Sequence, residues 1–271
     1  MRLPKQSALV YALGTIGIDY GSEERRRVFE HILASSLYDT QKLVEYLKQE
    51  EVTPDVLIWT LNQNSLPIYV ILPDGAFARH TFDRLMEILQ GQLDQGVELV
   101  SVPGTIEGKT KLLSGTEVPV IVPDLAGIVS WSTDEMMLKV LGPPPREPGR
   151  EQTIYDQKMA MVNHFLDTVF YQMQNKGNTP KDRALNFAAT NAFRIKEAFE
   201  KAYGDRLVLQ SIDVKRKPFS PPDSDYWEVK LIYFNQSVEV RTRQASKVFS
   251  FTIDISSVIP ATVGKMSERY S

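Results

Sequence analysis

The segment Gly104 to Thr110 (GTIEGKT) holds the residue types of a phosphate cradle, glycines at a turn followed by lysine and threonine. One residue too few separates the two glycines, and Pro103, with a fixed φ and no N–H to offer an anion, stands where the first glycine is needed. The next residues, KLLSGTEVPV, are strand-like, so the segment reads as a surface hairpin loop. His31, His80 and His164 are the complete set of imidazole bases, and the chain has no G-x-S-x-G elbow for any of them to serve. Each lies in a helical pattern beside apolar neighbours, which suits a helix-surface or half-buried structural role. No metal site is expected, because the spacings H-x-x-x-H, H-E-x-x-H and the acidic calcium loop are missing and His80 with Asp83 fits a simple i,i+3 hydrogen bond. The chain has no cysteine, which removes thiol nucleophiles, redox pairs, thiolate zinc sites and iron–sulfur clusters together.

Two polar groups keep more than one reading. Asp223 and Asp225 flank Ser224 in PPDSDYW, just ahead of Trp227, and could serve as paired acid and base or as Asx-type caps of a turn. Asp182, Arg183, Asn186, Thr190 and Asn191 recur at helical spacing on an alanine-rich segment. They fit an internal hydrogen-bond network or a recognition surface.

The whole chain balances 31 Lys and Arg against 34 Asp and Glu, a net −3, so it creates no field that would draw nucleic acid or a membrane surface. The stretch Leu207 to Phe251 is locally more basic, with Lys215, Arg216, Lys217, Lys230, Arg241, Arg243 and Lys247 against Asp213, Asp223, Asp225, Glu228 and Glu239. That excess is 7 − 5 = +2, too little for a phosphate-tracking stripe. At 271 residues and 42% hydrophobic the chain should fold as one or two domains with a core that needs no staple. The start has no signal peptide or membrane span, and with the missing cysteines this suggests a cytoplasmic protein.

These residues must be positioned by elements of both periods. Ser22 and Asp39 can cap helices reaching about Ala34 and Glu50. Val56 to Asn62 and Pro67 to Leu72 read as a hairpin, and Phe77, Phe82, Leu85, Met86, Leu89 and Leu93 share one face of a helix ending at Gly96. Short strands are expected at Val97–Val102, Lys111–Leu113, Val118–Val122 and Gly127–Trp131, then a helix over Thr133–Val140. Gly142 to Gln152 (GPPPREPGREQ) reads as a proline-rich linker. Beyond it, helices over Gln152–Lys176 and from Thr179 to Gly204 form an αα-hairpin, followed by strands at Leu207–Lys217, Tyr226–Asn235 and Lys247–Ile255. The expected fold is therefore α+β: an N-terminal mixed α/β subdomain (1–141), a linker (142–152) and a C-terminal subdomain (153–271) with the αα-hairpin packed on a three-stranded antiparallel sheet.

VYALG (Val10 to Gly14), LIWTLN (Leu57 to Asn62), VPVIVP (Val118 to Pro123), DRALNFAATN (Asp182 to Asn191), DSDYWEVKL (Asp223 to Leu231) and KVFSFTIDIS (Lys247 to Ser256) occur in that order. In this set the chain resembles the C-terminal domain of the PatA/PatG family of cyanobactin maturation proteases, from about Val10 to the end. The resemblance implies a part in making ribosomally derived cyclic peptides, where such a domain, itself of unknown function, is joined to a subtilisin-like protease. The protease's catalytic Asp, His and Ser have no counterparts here, so no catalytic residue, cofactor or metal carries over. The expectation is a non-catalytic accessory or recognition domain that binds precursor peptide or docks a subtilisin-like maturation protease. An extended peptide could pair with an edge strand of the C-terminal three-stranded sheet. Binding candidates are Asp182, Arg183, Asn186, Asn191, Asp223, Asp225 and Trp227. The rivals are an enzyme with a site built on carboxylates and hydroxyls around Asp182, Arg183, Asp223 and Asp225, and a structural dimerisation module.

Overall fold

The strand β1 (Ala8–Asp19) turns Val10, Ala12 and Ile16 into a core, as an alternating strand must when one face is dry. The structure, a computed structural model, describes residues 8–33, 39–49, 54–235 and 246–270, so Glu239, Arg241 and Arg243 of the charge comparison lie outside the described residues. The chain divides into two units, between Ser132 and Thr133.

In the first unit, Ser22 caps α1 (Glu23–Ile32) by accepting from the Arg25 N–H at 3.2 Å, and α2 (Thr40–Gln49) comes next. The hairpin of β2 (Ile58–Gln63) and β3 (Leu66–Ile71) turns at Asn64 and Ser65, both left-handed at φ 49° and 63°, as a tight hairpin matching strand twist requires. The helix α3 (Ala78–Asp94) gives Phe82, Leu85, Met86 and Leu89 to the same core as Trp59, whose indole N–H donates to the Pro54 carbonyl at 2.8 Å. Then come β4 (Leu99–Lys111), β5 (Glu117–Pro123) and the short β6 (Val129–Trp131). The strand order β1-β2-β3-β5-β4 closes on itself because β4 also pairs with β1, so five strands form a barrel-like ring and β6 adds to the start of β4. Closure leaves few free edges.

The second unit holds α4 (Thr133–Leu141), α5 (Arg150–Asp167) with a π-turn over Thr168–Gln172, α6 (Pro180–Thr190) and α7 (Ala192–Gly204). The proline-rich segment lies inside this unit, between α4 and α5. Four antiparallel strands complete it, β7 (Leu207–Arg216), β8 (Tyr226–Asn235), β9 (Lys247–Asp254) and β10 (Ala261–Tyr270), paired in the order β10-β9-β8-β7.

This architecture corrects the expected α+β arrangement. The first unit is not a generic mixed α/β subdomain, because its sheet closes into a ring, and the second sheet has four strands, not three, with β10 added. The segment ATVGKMSERY shows no apolar alternation, since as an edge strand it is exposed along most of its length. Its register shifts between Val263 and Ser267, where Gly264 takes φ +72°, a bulge of the kind that blunts an edge. Nor is the helical part an αα-hairpin: the second predicted helix breaks at Asn191 (φ −97°, ψ 68°) into α6 and α7. The expected strands at Val97–Val102 and Lys111–Leu113 are the ends of one long β4, so GTIEGKT lies within a strand and is not a loop.

Candidate functional site

Thr179 accepts from the Asp182 N–H at 3.2 Å and Pro180 opens the helix, which fixes where α6 begins and therefore which side chains face the sheet. Arg183 and Asn186 are among the buried ones, Arg183 at only 4% exposure. The Arg183 guanidinium reaches the connection between β9 and β10: Nη1 donates to the Ile255 carbonyl at 2.7 Å, and Nη2 to the carbonyls of Ser257 and, at 3.3 Å, Val258. Its Nε–H is buried without a partner among the described residues. Burial lowers the Arg183 pKa to about 10 and the charge of Asp225 opposes that shift, so the group stays cationic at neutral pH. Asn186 exchanges two hydrogen bonds with Asn175, each 2.9 Å.

The DSDYW segment approaches the same connection from the other side. The Ile255 N–H donates to the Asp225 carbonyl at 3.0 Å, while the Asp225 carboxylate accepts from Arg216 Nε at 2.8 Å. Asp254 accepts from the N–H groups of Asp225 (3.2 Å) and Ser256 (3.0 Å). Burial would raise the Asp254 pKa, but these amides and the nearby serine hydroxyls outweigh it and hold the carboxyl below its ordinary value. Arg183, Asp225 and Asn186 thus lie in a mesh of internal bonds. The remaining candidates are placed differently: Asp223 is exposed at a left-handed turn position (φ 63°), and Asp182 is half-buried in the first turn of α6. Trp227 lies on β8 with its indole N–H buried and unpartnered among the described residues. Asn191 stands at the α6–α7 break beside a narrow apolar crevice between helices and sheet, with Phe165, Ala188, Ala189, Phe251 and Thr262. The crevice has about 20 Å³ of space, room for about one water, and Thr262 Oγ1 is a buried group such a water could satisfy.

A roomier cleft, which no sequence motif marks, lies in the first unit. It encloses about 490 Å³ and is bounded by Ile16, Ile18 and Tyr20 of the β1 end, Arg26, Leu43, and Leu89 and Gln92 of α3. The Gln92 side-chain amide closes both backbone bonds of Ile16, accepting from its N–H at 2.8 Å and donating to its carbonyl at 2.9 Å. In the sequence Gln92 resembles any polar helix position; only the β1 edge gives it meaning. Among the described residues, no group of three or more His, Asp or Glu could hold a metal ion, and no helix is long and apolar enough to cross a membrane.

None of the curated proteins matches this chain. Two family models do: one described as PatG C-terminal over residues 152–269, and one described as PatG Domain over residues 9–108. The chain is also similar to a solved structure described as "PatG Domain of Unknown Function", with 33% identity and a TM-score of 0.83 across 98% of this chain and 100% of the other. With that identity spread over both units and the whole length of the relative, this chain belongs to the PatG family.

Proposed function

We propose that this PatG-family chain is a non-catalytic accessory or recognition domain in the cytoplasmic biosynthesis of ribosomally derived cyclic peptides of the cyanobactin type, holding a precursor peptide or docking a subtilisin-like maturation protease. The observation that carries the reading is the full-length relationship to the PatG domain, a domain whose own description gives it no activity. The bonding of the polar candidates supports it: Arg183 is spent on backbone carbonyls, Asp225 on Arg216 and Asn186 on Asn175, an arrangement that holds a fold together and offers no poised acid–base pair. A binding domain needs an exposed, preformed surface and no reactive group.

Calorimetric titration of leader, core and recognition-sequence peptides, and separately of the protease domain, into this chain tests the role. Saturable binding of one of these is the expected result. Heats indistinguishable from dilution for all of them, or turnover of a precursor by this chain alone, would overturn it.

A further inference from the structure

The edge of β1 that faces the cleft of the first unit is open for a short length, and its hydrogen bonding shows what it could accept. From Thr15 to Asp19, β1 pairs antiparallel with β2, Ile16 standing opposite Leu61 and Ile18 opposite Trp59. In such a ladder, opposed pairs alternate between exchanging both backbone bonds and exchanging none. Ile16 sends its N–H and its carbonyl to Gln92, away from β2, so Ile16 is in a non-bonded pair. Ile18, two residues on, is therefore in the next non-bonded pair, and its N–H and carbonyl point to the same open side. The last β1–β4 pair is Gly14 with Val100, so β4 does not reach this far. One residue past the strand, the Tyr20 carbonyl accepts from Arg25 Nη1 at 3.1 Å. Ile18 is left as a backbone donor and acceptor pair without a partner among the described residues, between a neighbour capped by a glutamine amide and one capped by an arginine.

We infer that this cleft is a peptide site, in which one residue of an extended apolar segment adds to the β1 edge and exchanges both backbone bonds with Ile18. Gln92 shows the chemistry in place, since its side-chain amide does for Ile16 what a strand residue would do. The walls select the side chains: Ile16, Leu43 and Leu89 are apolar, and Leu93, 44% exposed, lies at the outer margin. Among the described residues of the wall Arg26 carries the charge, and its Nε already pairs with Glu23 at 2.8 Å, so the cleft favours a neutral segment. The volume, about 490 Å³, is within the range of about 300–1,000 Å³ over which proteins hold small ligands.

This inference rests on the proposal that the domain holds peptide, and names where and in what conformation. The probe is N-acetyl-Leu-Val-Ile-amide, titrated to saturation into the full chain with isotope-labelled isoleucine amides observed by NMR. The Ile18 amide should shift saturably, and an analogue with an ester oxygen in place of the valine N–H should bind about tenfold more weakly, having lost the donor to the Ile18 carbonyl. Ile18→Pro, which deletes the free N–H without breaking a ladder bond, should weaken binding comparably while Ile18→Val does not; if the proline variant fails to fold, the ester comparison stands alone. An Ile18 amide unmoved at saturation, or equal affinity for ester and amide, overturns the site. Precursor binding with Ile18 silent would remove the site and leave the role. Tripeptide binding at Ile18, with no heat from leader, core, recognition sequence or protease, would remove the role and leave the site.

Discussion

Arg183 and Asp225 hold opposite sides of one residue: Arg183 Nη1 donates to the carbonyl of Ile255 at 2.7 Å, and the Asp225 carbonyl accepts its N–H at 3.0 Å. The two family-like segments DRALNFAATN and DSDYW therefore meet through a strand end, with Asp225 acting on Arg183 only by its field. A cation that is 4% exposed and bonded to carbonyls instead of a carboxylate is an anchor whose removal leaves several buried acceptors bare.

Arg183→Ala should lower stability by about 3 kcal/mol or more, since hydrogen bonds from a charged donor contribute about 1.5–3 kcal/mol each and bare acceptors cost more. Arg183→Lys should recover only part of this, because a point ammonium cannot span the Ile255, Ser257 and Val258 carbonyls as a planar fork does. Denaturant melts measure both, and an unchanged midpoint for the alanine variant would show that the contact carries no weight.

How legible this was in the sequence depends on where each residue gets its instructions. Thr179 and Pro180 announce α6 by local chemistry, as Ser22 announces α1 and the Asn64–Ser65 turn announces the β2–β3 hairpin, so these were readable. Strand β10 was not, because an exposed edge strand carries no apolar period, and the closure of the barrel was not, because the β1–β4 and β3–β5 pairings join segments far apart in the chain. The grouping of Asp182, Arg183, Asn186 and Asn191 could be seen from helical spacing. Their separate fates could not, since Arg183 bonds residues more than seventy positions away, Asn186 bonds Asn175, and Asn191 breaks the helix. Gln92 and Ile18 carry no signal at all, because an unpaired strand edge exists only once the register is known.

Asp254 makes part of the stability acid-sensitive. Its folded pKa is held below the ordinary value, so its contribution is fully present above the unfolded pKa of about 3.9 and is lost as pH falls through the folded one. Asp254→Asn keeps an acceptor for the Asp225 and Ser256 amides but loses its charge. It should cost about 1 kcal/mol at neutral pH, the difference between charged and neutral acceptors, and should flatten the fall in melting temperature below about pH 4. A variant that melts with the parent's acid slope would assign that slope elsewhere.

His31, His80 and His164 are all exposed, and His80 stands 6.3 Å from the Phe77 ring in a surface edge contact. Each single alanine variant should stay within about 0.5 kcal/mol of the parent in stability, as surface positions do. In a reconstituted peptide-maturation system each should leave the rate within a few-fold. A drop of about 10²-fold or more at any one of them is what loss of a general base produces, and would convert the accessory reading into an enzymatic one.

Lys247 should govern the alkaline side. Its side chain is 6% exposed at the start of β9, with the ammonium 2.6 Å from Asp205 and 3.5 Å from Glu268, and about 5.4 Å from the ring centres of both Phe249 and Tyr270. The hydrogen bond from Lys247 to Asp205 raises its pKa against the opposing pull of burial. With the folded value above the unfolded one, its stabilisation is complete below the unfolded pKa of about 10.4 and disappears as pH rises through the folded pKa. The partner carboxylates are 46% and 38% exposed, so solvent screens the pair and little is left stranded when the cation goes. Lys247→Met fills the same apolar slot without charge and should cost about 1–2 kcal/mol at neutral pH, chiefly the ring and carboxylate contacts. The cost should shrink with added salt and fade as pH rises through the raised folded pKa, where the parent's lysine itself loses its proton. If parent and variant instead remain separated by the same amount across that range, packing of the alkyl stem, and not the charge, is what Lys247 supplies to the β9–β10 edge.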